Sequence, residues 1–413
     1  MMAIRGKSGI VNTGNSCYLN SAIQAISNTH DLRNYLLNNQ DEIFKILLRN
    51  APKIYNSNPN VPTQLKEFLK SSAYNPELLE NPIRECILNG TITFSLIRLL
   101  NGIWAHNHTI LPTSFTKFFI SKSKFTGHTQ QDSQEAYSII IESIKEELGI
   151  NRPIVLNTED PVLIKLHDFE RRIHKEIEEA SHSSIKENLS RQLFNMKRDN
   201  PSQALLLDFH NESKKNLLSN ASIVNDLFTG FFLSTTECTE CGYISNKFDS
   251  FSHISVDLTD SYQPTLKECL DKYCTETVLD EDNLWKCDNC CNKVRAKKKM
   301  MIWHSPKILV IQLNRYTYSG MGMRKDNRTV DFPFYDLDIS NNLCDKRENI
   351  YKKYNLYSVI NHVGAMNFGH YYSCCKDSDT DIWFLFDDDR VKRITNDSSI
   401  MSNNAYLLFY VSN

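Results

Sequence analysis

A glycine-punctuated loop, residues 9–16, leads into Cys17 at the start of a predicted helix. The N-terminus of a helix carries partial positive charge and free N–H groups, and both favour the thiolate form of a cysteine. Asn15 and Ser16 are suited to cap this helix. A thiolate attacks carbonyl carbon, and the amide of Asn12 with backbone N–H groups of the loop could stabilise the resulting oxyanion. Cys17 is therefore a candidate nucleophile.

Two histidines near the C-terminus, His362 and His370, are candidate general bases. A neutral imidazole beside the thiol would accept its proton and later protonate a leaving amine. Gly369 permits a tight approach into the tyrosine-rich strand that presents His370, whereas His362 is harder to assign. The alternative is that such a histidine is only structural.

Three carboxylates, Asp387 to Asp389, follow an apolar strand predicted at residues 383–387. A carboxylate in this position can hydrogen-bond an imidazole N–H and fix its tautomer. A run of three aspartates is otherwise typical of a solvated turn or a helix cap. The thiol, imidazole and carboxylate together are the groups that nucleophilic acyl transfer requires.

Two Cys-x-x-Cys pairs, Cys238/Cys241 and Cys287/Cys290, have the spacing of zinc knuckles. Four thiolates suit a tetrahedral structural zinc site, each pair bending back to offer two sulfurs. Gly242 follows the first pair, where a knuckle often needs a positive φ. A redox role would need one pair only, so we predict structural zinc. The long span between the pairs indicates that they close the end of a long hairpin.

These groups must be positioned by different kinds of element. Residues 1–150 are mostly helical by apolar periodicity, and residues 222–413 are rich in alternating or continuous apolar strands. Residues 151–221 are highly charged, and the segment 167–194 within them suggests an inserted helical hairpin. We interpret this insertion as a solvated surface segment rather than a partner-binding arm. We therefore expect a helical lobe, an insertion, a metal-bound projection over 222–303 and a β-rich lobe over 304–413.

The bulk composition is that of an ordinary globular protein. The 413 residues are 41% hydrophobic and 23% charged, with a formal net charge of -2 that gives no reason to expect a nucleic-acid partner. No window approaches the roughly 20 apolar residues of a membrane helix, and the first ten residues lack the apolar core of a signal peptide. Twelve cysteines then fit a reducing compartment. We expect a cytoplasmic or nuclear protein.

Six segments, in order and over nearly the whole chain, resemble motifs of the ubiquitin-specific protease family. They are the cysteine box (9–21), the Gln-Gln-Asp motif (130–135), the strand at 309–316, the segments around His370 and around Asp387, and the closing strand (405–410). Ser16 and Ile10 replace the usual threonine and leucine of the cysteine box, and both keep its chemistry.

The resemblance implies a papain-like α+β fold in which a helical thumb (1–150), a β-rich palm (304–413) and zinc-tipped fingers (222–303) grip ubiquitin. The residue roles it implies are the nucleophile Cys17, the base His370, the orienting Asp387 with Asp388 as substitute or helper, the oxyanion donor Asn12, and tail-channel residues Gln131, Asp132, Glu135 and Tyr371. It implies structural zinc and no cofactor for catalysis.

The expected activity is hydrolysis of ubiquitin conjugates after the C-terminal glycine of ubiquitin. The expected partners are ubiquitin, ubiquitinated proteins and an activating protein, because the cysteine box begins near residue 9 and leaves targeting to the catalytic domain or a partner. The alternatives are a protease for another ubiquitin-like modifier and a ubiquitin-binding module without catalysis.

Overall fold

The computed structural model describes residues 5–56, 61–105, 108–123, 125, 129–218, 220–319, 322–344, 351–365 and 368–413. The helices are α1 (Cys17–Ser27), α2 (His30–Asn38), α3 (Gln40–Asn56), α4 (Thr63–Lys70), α5 (Asn81–Asn89), α6 (Ile92–Ala105), α7 (Thr113–Lys122), α8 (Ser133–Leu148), α9 (Pro161–Glu179), α10 (Ser183–Asp199), α11 (Pro201–Leu217), α12 (Ile223–Phe228) and α13 (Leu266–Tyr273). The strands are β1 (Gly230–Cys238), β2 (Ile244–Phe251), β3 (Ile254–Asp257), β4 (Thr277–Val278), β5 (Trp285–Lys286), β6 (Lys293–Val294), β7 (Ala296–His304), β8 (Ile308–Asn314), β9 (Tyr316–Ser319), β10 (Gly322–Lys325), β11 (Leu337–Asp338), β12 (Lys353–Ala365), β13 (Phe368–Lys376), β14 (Trp383–Asp387), β15 (Arg390–Arg393) and β16 (Ala405–Ser412). The α+β class predicted from the sequence is confirmed.

Helix α1 is the central element of the helical lobe, and every one of its residues is buried. An all-round buried helix has to be packed on several sides, and α1 contacts α8, β12 and β13. Glu147 of α8 fastens the lobe from within, because its carboxylate accepts the N–H groups of Ile92 (2.9 Å) and Thr93 (2.8 Å) at the start of α6. Those N–H groups have no partner inside their own helix.

The large sheet has eight strands in the order β15-β14-β13-β12-β16-β8-β3, with β11 beside β12. Strand β8 is the apolar run expected of a buried strand, with Ile308 to Ile311 all buried. One side of this sheet shares a core with the helical lobe, and the other packs on α13. Helix α1 therefore lies directly against β13, and this brings the two halves of the chain together.

A smaller sheet, in the order β2-β1-β7-β4, forms the projection. Its strands β1 and β7 pair from Phe231 to Cys238, so the first Cys-x-x-Cys pair stands at the far end of a long ladder. The segment 222–303 contributes to both sheets, because β3 pairs in parallel with β8 of the large sheet.

The charged region contains the helices α9 to α11. Helices α9 and α10 pack on each other as the hairpin that the sequence predicted over 167–194, and α11 is a further helix. Helix α11 packs on the small sheet through Phe209, whose ring centroid lies 5.3 Å from Phe231, 5.3 Å from Phe248 and 5.7 Å from Trp303. The insertion thus covers one face of the projection instead of standing free in solvent.

Among the described residues, no single helix combines the length and apolar composition that crossing a membrane requires. Helices α5 and α6, with a 91° bend at the break between them, meet those criteria only when joined.

Candidate active site and four-cysteine cluster

Cys17 is the first residue of α1 and is 2% exposed. The loop before it is held by the side chain of Asn12, whose Oδ1 accepts the N–H groups of Gly14 (3.0 Å) and Ser16 (3.1 Å). Gly14 (φ 105°) and Asn15 (φ 51°) adopt left-handed conformations, which suit glycine and asparagine. The loop thus turns sharply and leaves Cys17 at the positive end of the helix.

His370 and Asp387 come from neighbouring strands of the large sheet, β13 and β14. Nε2 of His370 lies 2.6 Å from Oδ1 of Asp387, and the imidazole lies close enough to the side chain of Cys17 for the two to interact. The interaction with Cys17 and then the hydrogen bond with Asp387 raise the pKa of His370 to about 9, against the opposing effect of burial. The structure therefore brings together the nucleophile, base and orienting carboxylate predicted from the sequence.

Asp388 ties the cysteine loop to the large sheet. Its Oδ2 accepts from Nδ2 of Asn12 (2.9 Å) and its Oδ1 accepts from Nδ2 of Asn20 (2.8 Å), while its backbone carbonyl accepts the N–H of Ile10 (2.8 Å). Single ligand atoms of His370, Asp387 and Asp388 lie within 4.8 Å of one another. Asp388 thus contacts the predicted oxyanion donor and also lies close enough to His370 to be its alternative carboxylate.

Asn20 was missed as a site residue when the sequence was considered alone. It lies one helical turn after Cys17, and its amide donates both to Asp388 and to the carbonyl of Ile10 (3.2 Å). Its place in the cysteine segment was the available signal, but its partner is 368 positions away in the sequence.

His362, the second histidine, lies in β12 and is 1% exposed. Its Nδ1 is hydrogen-bonded to the hydroxyl of Tyr316. Burial chiefly, together with the charges of Lys325 and His370, lowers its pKa to about 4, so the ring is neutral at physiological pH. These contacts belong to a packed interior, and His370 is the histidine that contacts Cys17.

Tyr371, expected to flank the substrate channel, is 5% exposed. Its ring lies 4.3 Å from the ring of His362 and 6.1 Å from that of Tyr406. The contact with substrate expected of Tyr371 stays a prediction.

The Gln-Gln-Asp segment precedes α8. Asp132 caps this helix, since its Oδ1 accepts the N–H of Gln134 (2.7 Å), and its Oδ2 accepts from the hydroxyl of Tyr406 (2.5 Å). Gln131 donates to the hydroxyl of Thr129 (2.7 Å), and Glu135 is exposed. Of the two acidic residues predicted to meet the substrate tail, Glu135 has the more accessible carboxylate.

The sulfur atoms of Cys238, Cys241, Cys287 and Cys290 lie within 4.8 Å of one another. The sulfur atoms of Cys238 and Cys290 are 3.9 Å apart, and those of Cys241 and Cys287 are 3.7 Å apart. Four sulfurs held about 2.3 Å from a tetrahedral zinc ion are about 3.8 Å apart. In each knuckle the N–H of the second cysteine points at the first sulfur, at 3.5 Å and 3.4 Å. The four side chains therefore fit a structural metal ion.

A thiol at a helix start, an imidazole that contacts it and a carboxylate that orients the imidazole define a cysteine hydrolase of the α+β, papain-like class. The family model described as ubiquitin carboxyl-terminal hydrolase matches residues 8–410. The chain belongs to the ubiquitin carboxyl-terminal hydrolase family, whose members are cysteine-type deubiquitinases.

The probable ubiquitin carboxyl-terminal hydrolase of Acanthamoeba polyphaga mimivirus is 34% identical over 424 residues, which is 98% of this chain and 90% of that relative. Ubiquitin carboxyl-terminal hydrolase 2 of Bos taurus is 30% identical over 414 residues, 98% of this chain and 55% of its own length. The human protein of that name is 28% identical over 412 residues, which is 98% of this chain and 55% of the relative. The chain thus spans about half the length of these mammalian relatives.

Among solved structures, the SAGA deubiquitinase module of Ubp8, Sgf11, Sus1 and Sgf73 bound to monoubiquitin is similar, with a TM-score of 0.61 and 20% identity. The similarity covers all of this chain and 70% of the matched chain. The same module bound to ubiquitin aldehyde has a TM-score of 0.61 and 22% identity, with 71% of that chain covered. These likenesses establish the shared fold.

Proposed function

We propose that this chain hydrolyses the bond after the C-terminal glycine of ubiquitin, with Cys17 as the nucleophile. The observation that carries the proposal is the contact of His370 with both Cys17 and Asp387 in a chain of the ubiquitin carboxyl-terminal hydrolase family. The similarity to a deubiquitinase module that was solved with ubiquitin supports ubiquitin as the ligand.

In the first half of the reaction, His370 takes the proton of Cys17 and the thiolate attacks the glycyl carbonyl carbon. Negative charge then develops on the carbonyl oxygen, and N–H groups aimed at that position lower the barrier. An amide nitrogen carries two N–H groups, so Asn12 can donate one to Asp388 and the other to the oxyanion. His370 protonates the departing lysine amine as the tetrahedral intermediate collapses to a thioester.

In the second half, His370 removes a proton from water, which attacks the thioester and releases ubiquitin with a free carboxylate. Asp387 keeps the Nε2 edge of the imidazole occupied, so that the other edge stays turned toward Cys17. Asp388 holds Asn12 in place and is the second carboxylate in reach of His370.

The ubiquitin tail is proposed to enter beside the Gln-Gln-Asp segment. Its arginines can pair with exposed carboxylates, and Glu135 supplies one. Asp132 contributes by capping α8 and holding Tyr406, and Gln131 and Tyr371 are the further residues that we assign to the channel.

Zinc is proposed as the ion held by Cys238, Cys241, Cys287 and Cys290. Its chemistry there is structural: four thiolates close the coordination sphere and hold the ends of the projection together. The residues of this cluster take no part in the acyl-transfer steps.

Ubiquitinated proteins are the proposed substrates, and the further subunits in the similar structures support a partner protein that activates or targets the enzyme. The proposed compartment is the cytoplasm or nucleus. None of the twelve cysteines, all of which the structure describes, forms a disulfide, a state that a reducing compartment maintains.

The test is incubation with ubiquitin that carries a thiol-reactive electrophile at its C-terminus, using the wild type, Cys17→Ala and the control Cys86→Ala, whose side chain is exposed on α5. We expect an adduct with the wild type and the control but none with Cys17→Ala, which should still bind ubiquitin in calorimetry. An adduct only with a related modifier would mean that this modifier, and not ubiquitin, is the substrate. Ubiquitin binding without any adduct would favour a ubiquitin-binding module.

A further inference from the structure

Gln130 joins the helical lobe to the strand that carries the catalytic base. Its Oε1 accepts the N–H of Gly369 at 2.6 Å, and its Nε2 donates to the carbonyl of the same residue. A carboxamide can donate and accept at once, so one side chain satisfies both backbone groups of Gly369. Gly369 immediately precedes His370, so the position of its backbone fixes the position of the Cα atom from which the His370 side chain extends.

Gly369 has little freedom on its other side. A Cβ added there would lie 2.3 Å from Nε2 of His362 and 2.5 Å from the carbonyl of Val363, so only glycine fits. Strand β14 pairs with β13 from Ser373 onward, and β12 pairs with it at Gly369 itself. The Gln130 amide therefore holds Gly369 from the helical lobe while β12 supports it within the sheet.

The same short segment also contacts the helix that carries the nucleophile. The hydroxyl of Ser133 donates to the carbonyl of Tyr18 (2.9 Å) and lies 3.0 Å from the hydroxyl of Ser21. Asp132, between them, accepts from Tyr406 of β16. Residues 130–133 thus touch the turn of α1 that follows Cys17 at one end and the backbone before His370 at the other.

We propose that Gln130 is a positioning residue that acts through Gly369 to hold the His370 imidazole against Cys17. The role of Gln130 rests on the proposed function, since it sets the geometry of the same reaction. Gln130 needs no contact with substrate for this role, and its loss would displace the base relative to the thiol. Misplacement by about 1 Å can cost on the order of a hundredfold in rate.

The test compares Gln130→Met, which keeps the side-chain length without the hydrogen bonds, with the control Gln192→Met on the exposed face of α10. With a fluorogenic ubiquitin amide, we expect kcat of Gln130→Met to fall about 10- to 100-fold, with KM within about twofold of the wild type. If Gln130→Met fails to fold, Gln130→Asn withdraws the amide by one methylene and keeps its polarity.

A second readout needs no ubiquitin. The titration of His370 in protein labelled at histidine Cε1 is followed by NMR, its signal being assigned with His370→Gln. The titratable groups near this imidazole are Cys17 on α1, Asp387 on β14, the neighbouring Asp388 and His362 on β12. If the contact with Cys17 weakens in Gln130→Met, the pKa of His370 should move from about 9 toward its ordinary value of 6.5. The control Gln192→Met should leave this pKa unchanged.

An unchanged kcat with an unchanged His370 titration would overturn the inference. A rise in KM alone in Gln130→Met would assign Gln130 to substrate binding. A higher kcat would mean that the hydrogen bonds of Gln130 must break before substrate can react. Either result rejects the positioning role. If the wild type fails to cleave ubiquitin while the His370 titration still shifts in Gln130→Met, the proposed substrate is wrong and the positioning role stands.

Discussion

His370 and Asp387 are joined by a hydrogen bond of 2.6 Å between Nε2 and Oδ1, although each side chain keeps about 40% of its surface exposed. The bond is made between adjacent strands, so the sheet itself sets its length. Because one edge of the imidazole is occupied by the carboxylate, the other is free to contact Cys17. The proposed base is thereby oriented by the large sheet and the proposed nucleophile by α1.

The first prediction concerns pH. The pKa of His370 is raised to about 9 by Cys17 and Asp387, so the imidazolium form of His370 is lost above that value. We expect kcat/KM to fall on the alkaline side with a midpoint near pH 9. The raised pKa of His370 also contributes to the stability of the fold. This contribution is complete below pH 6.5, the ordinary pKa of histidine, and is lost as pH rises through about 9.

The matched variant is Asp387→Asn, which keeps the shape of the side chain and removes its charge. The alkaline midpoint should then move to lower pH and kcat should fall, by on the order of a hundredfold or more. The measurement is a pH profile with a fluorogenic ubiquitin amide. An alkaline midpoint that stays in place in Asp387→Asn would mean that Asp387 does not act on His370.

The second prediction concerns Asp388 and Asn12. Asp388→Ala should free the Asn12 amide and lower kcat by on the order of a hundredfold, the usual cost of losing one oxyanion donor. Because both residues act through the same amide, Asn12→Ala combined with Asp388→Ala should cost little more than either change alone. The control is Asp389→Ala, whose side chain is exposed. Fully additive losses would mean that the two residues work separately.

The sequence was sufficient for the groups with distinctive chemistry. Cys17, His370, Asp387 and the four knuckle cysteines could be selected as candidates because each lies in a short segment whose residue types are unusual together. Strand prediction succeeded where apolar runs are continuous, as at 383–387, which coincides with β14. Local patterns of this kind need no knowledge of the tertiary fold.

The parts that could not be predicted depend on contacts between distant segments. The bonds from Asn20 to Asp388 and from Gln130 to Gly369 join residues 368 and 239 positions apart, and no local pattern records them. The packing of the insertion on the small sheet could not be predicted for a related reason. Its apolar residues are only loosely periodic, and the role of Phe209 is visible only once the small sheet lies beside it.

The third prediction concerns the insertion. Phe209→Ala should destabilise the projection, because the ring loses its contacts with Phe231, Phe248 and Trp303. A partly buried phenylalanine should cost about 2 kcal/mol, below the range for full burial. The measurement is hydrogen exchange of β1 and β7, with Ile185→Ala as the control, since this side chain is 47% exposed on α10. Equal hydrogen-exchange protection of β1 and β7 in the wild type and in Phe209→Ala would mean that the insertion does not stabilise the small sheet.

The fourth prediction concerns the metal. Mass spectrometry under native conditions should detect one zinc ion per chain, and Cys238→Ser should lose it, because three thiolates and a hydroxyl bind zinc more weakly than four thiolates. The thermal midpoint should fall in Cys238→Ser and on adding a chelator to the wild type. Cys86→Ser, an exposed cysteine outside the cluster, is the control. Full zinc content in Cys238→Ser would remove this residue from the ligand set.

The last prediction uses the two residues that follow the knuckles. Gly242 has a φ of 69° and Cys291 a φ of 59°, so both knuckles end in a left-handed residue, but only the first has glycine there. A side chain in this conformation costs about 1 kcal/mol or more. Cys291→Gly should therefore tighten zinc binding, and Gly242→Ala should weaken it, each by about fivefold. A Cβ on Gly242 meets no atom within 4 Å, so the effect there is one of backbone conformation alone.

Competition with a chromogenic chelator measures both variants against the wild type. Cys291→Gly should keep one zinc ion per chain, because its sulfur points to the carbonyl of Asp288 (3.6 Å) rather than to the cluster. Weaker zinc binding in Cys291→Gly would show that the fifth thiol is a ligand and that the left-handed conformation is sustained by the metal. Opposite shifts in the two variants would instead identify both positions as the same turn, filled by glycine in one knuckle and by cysteine in the other.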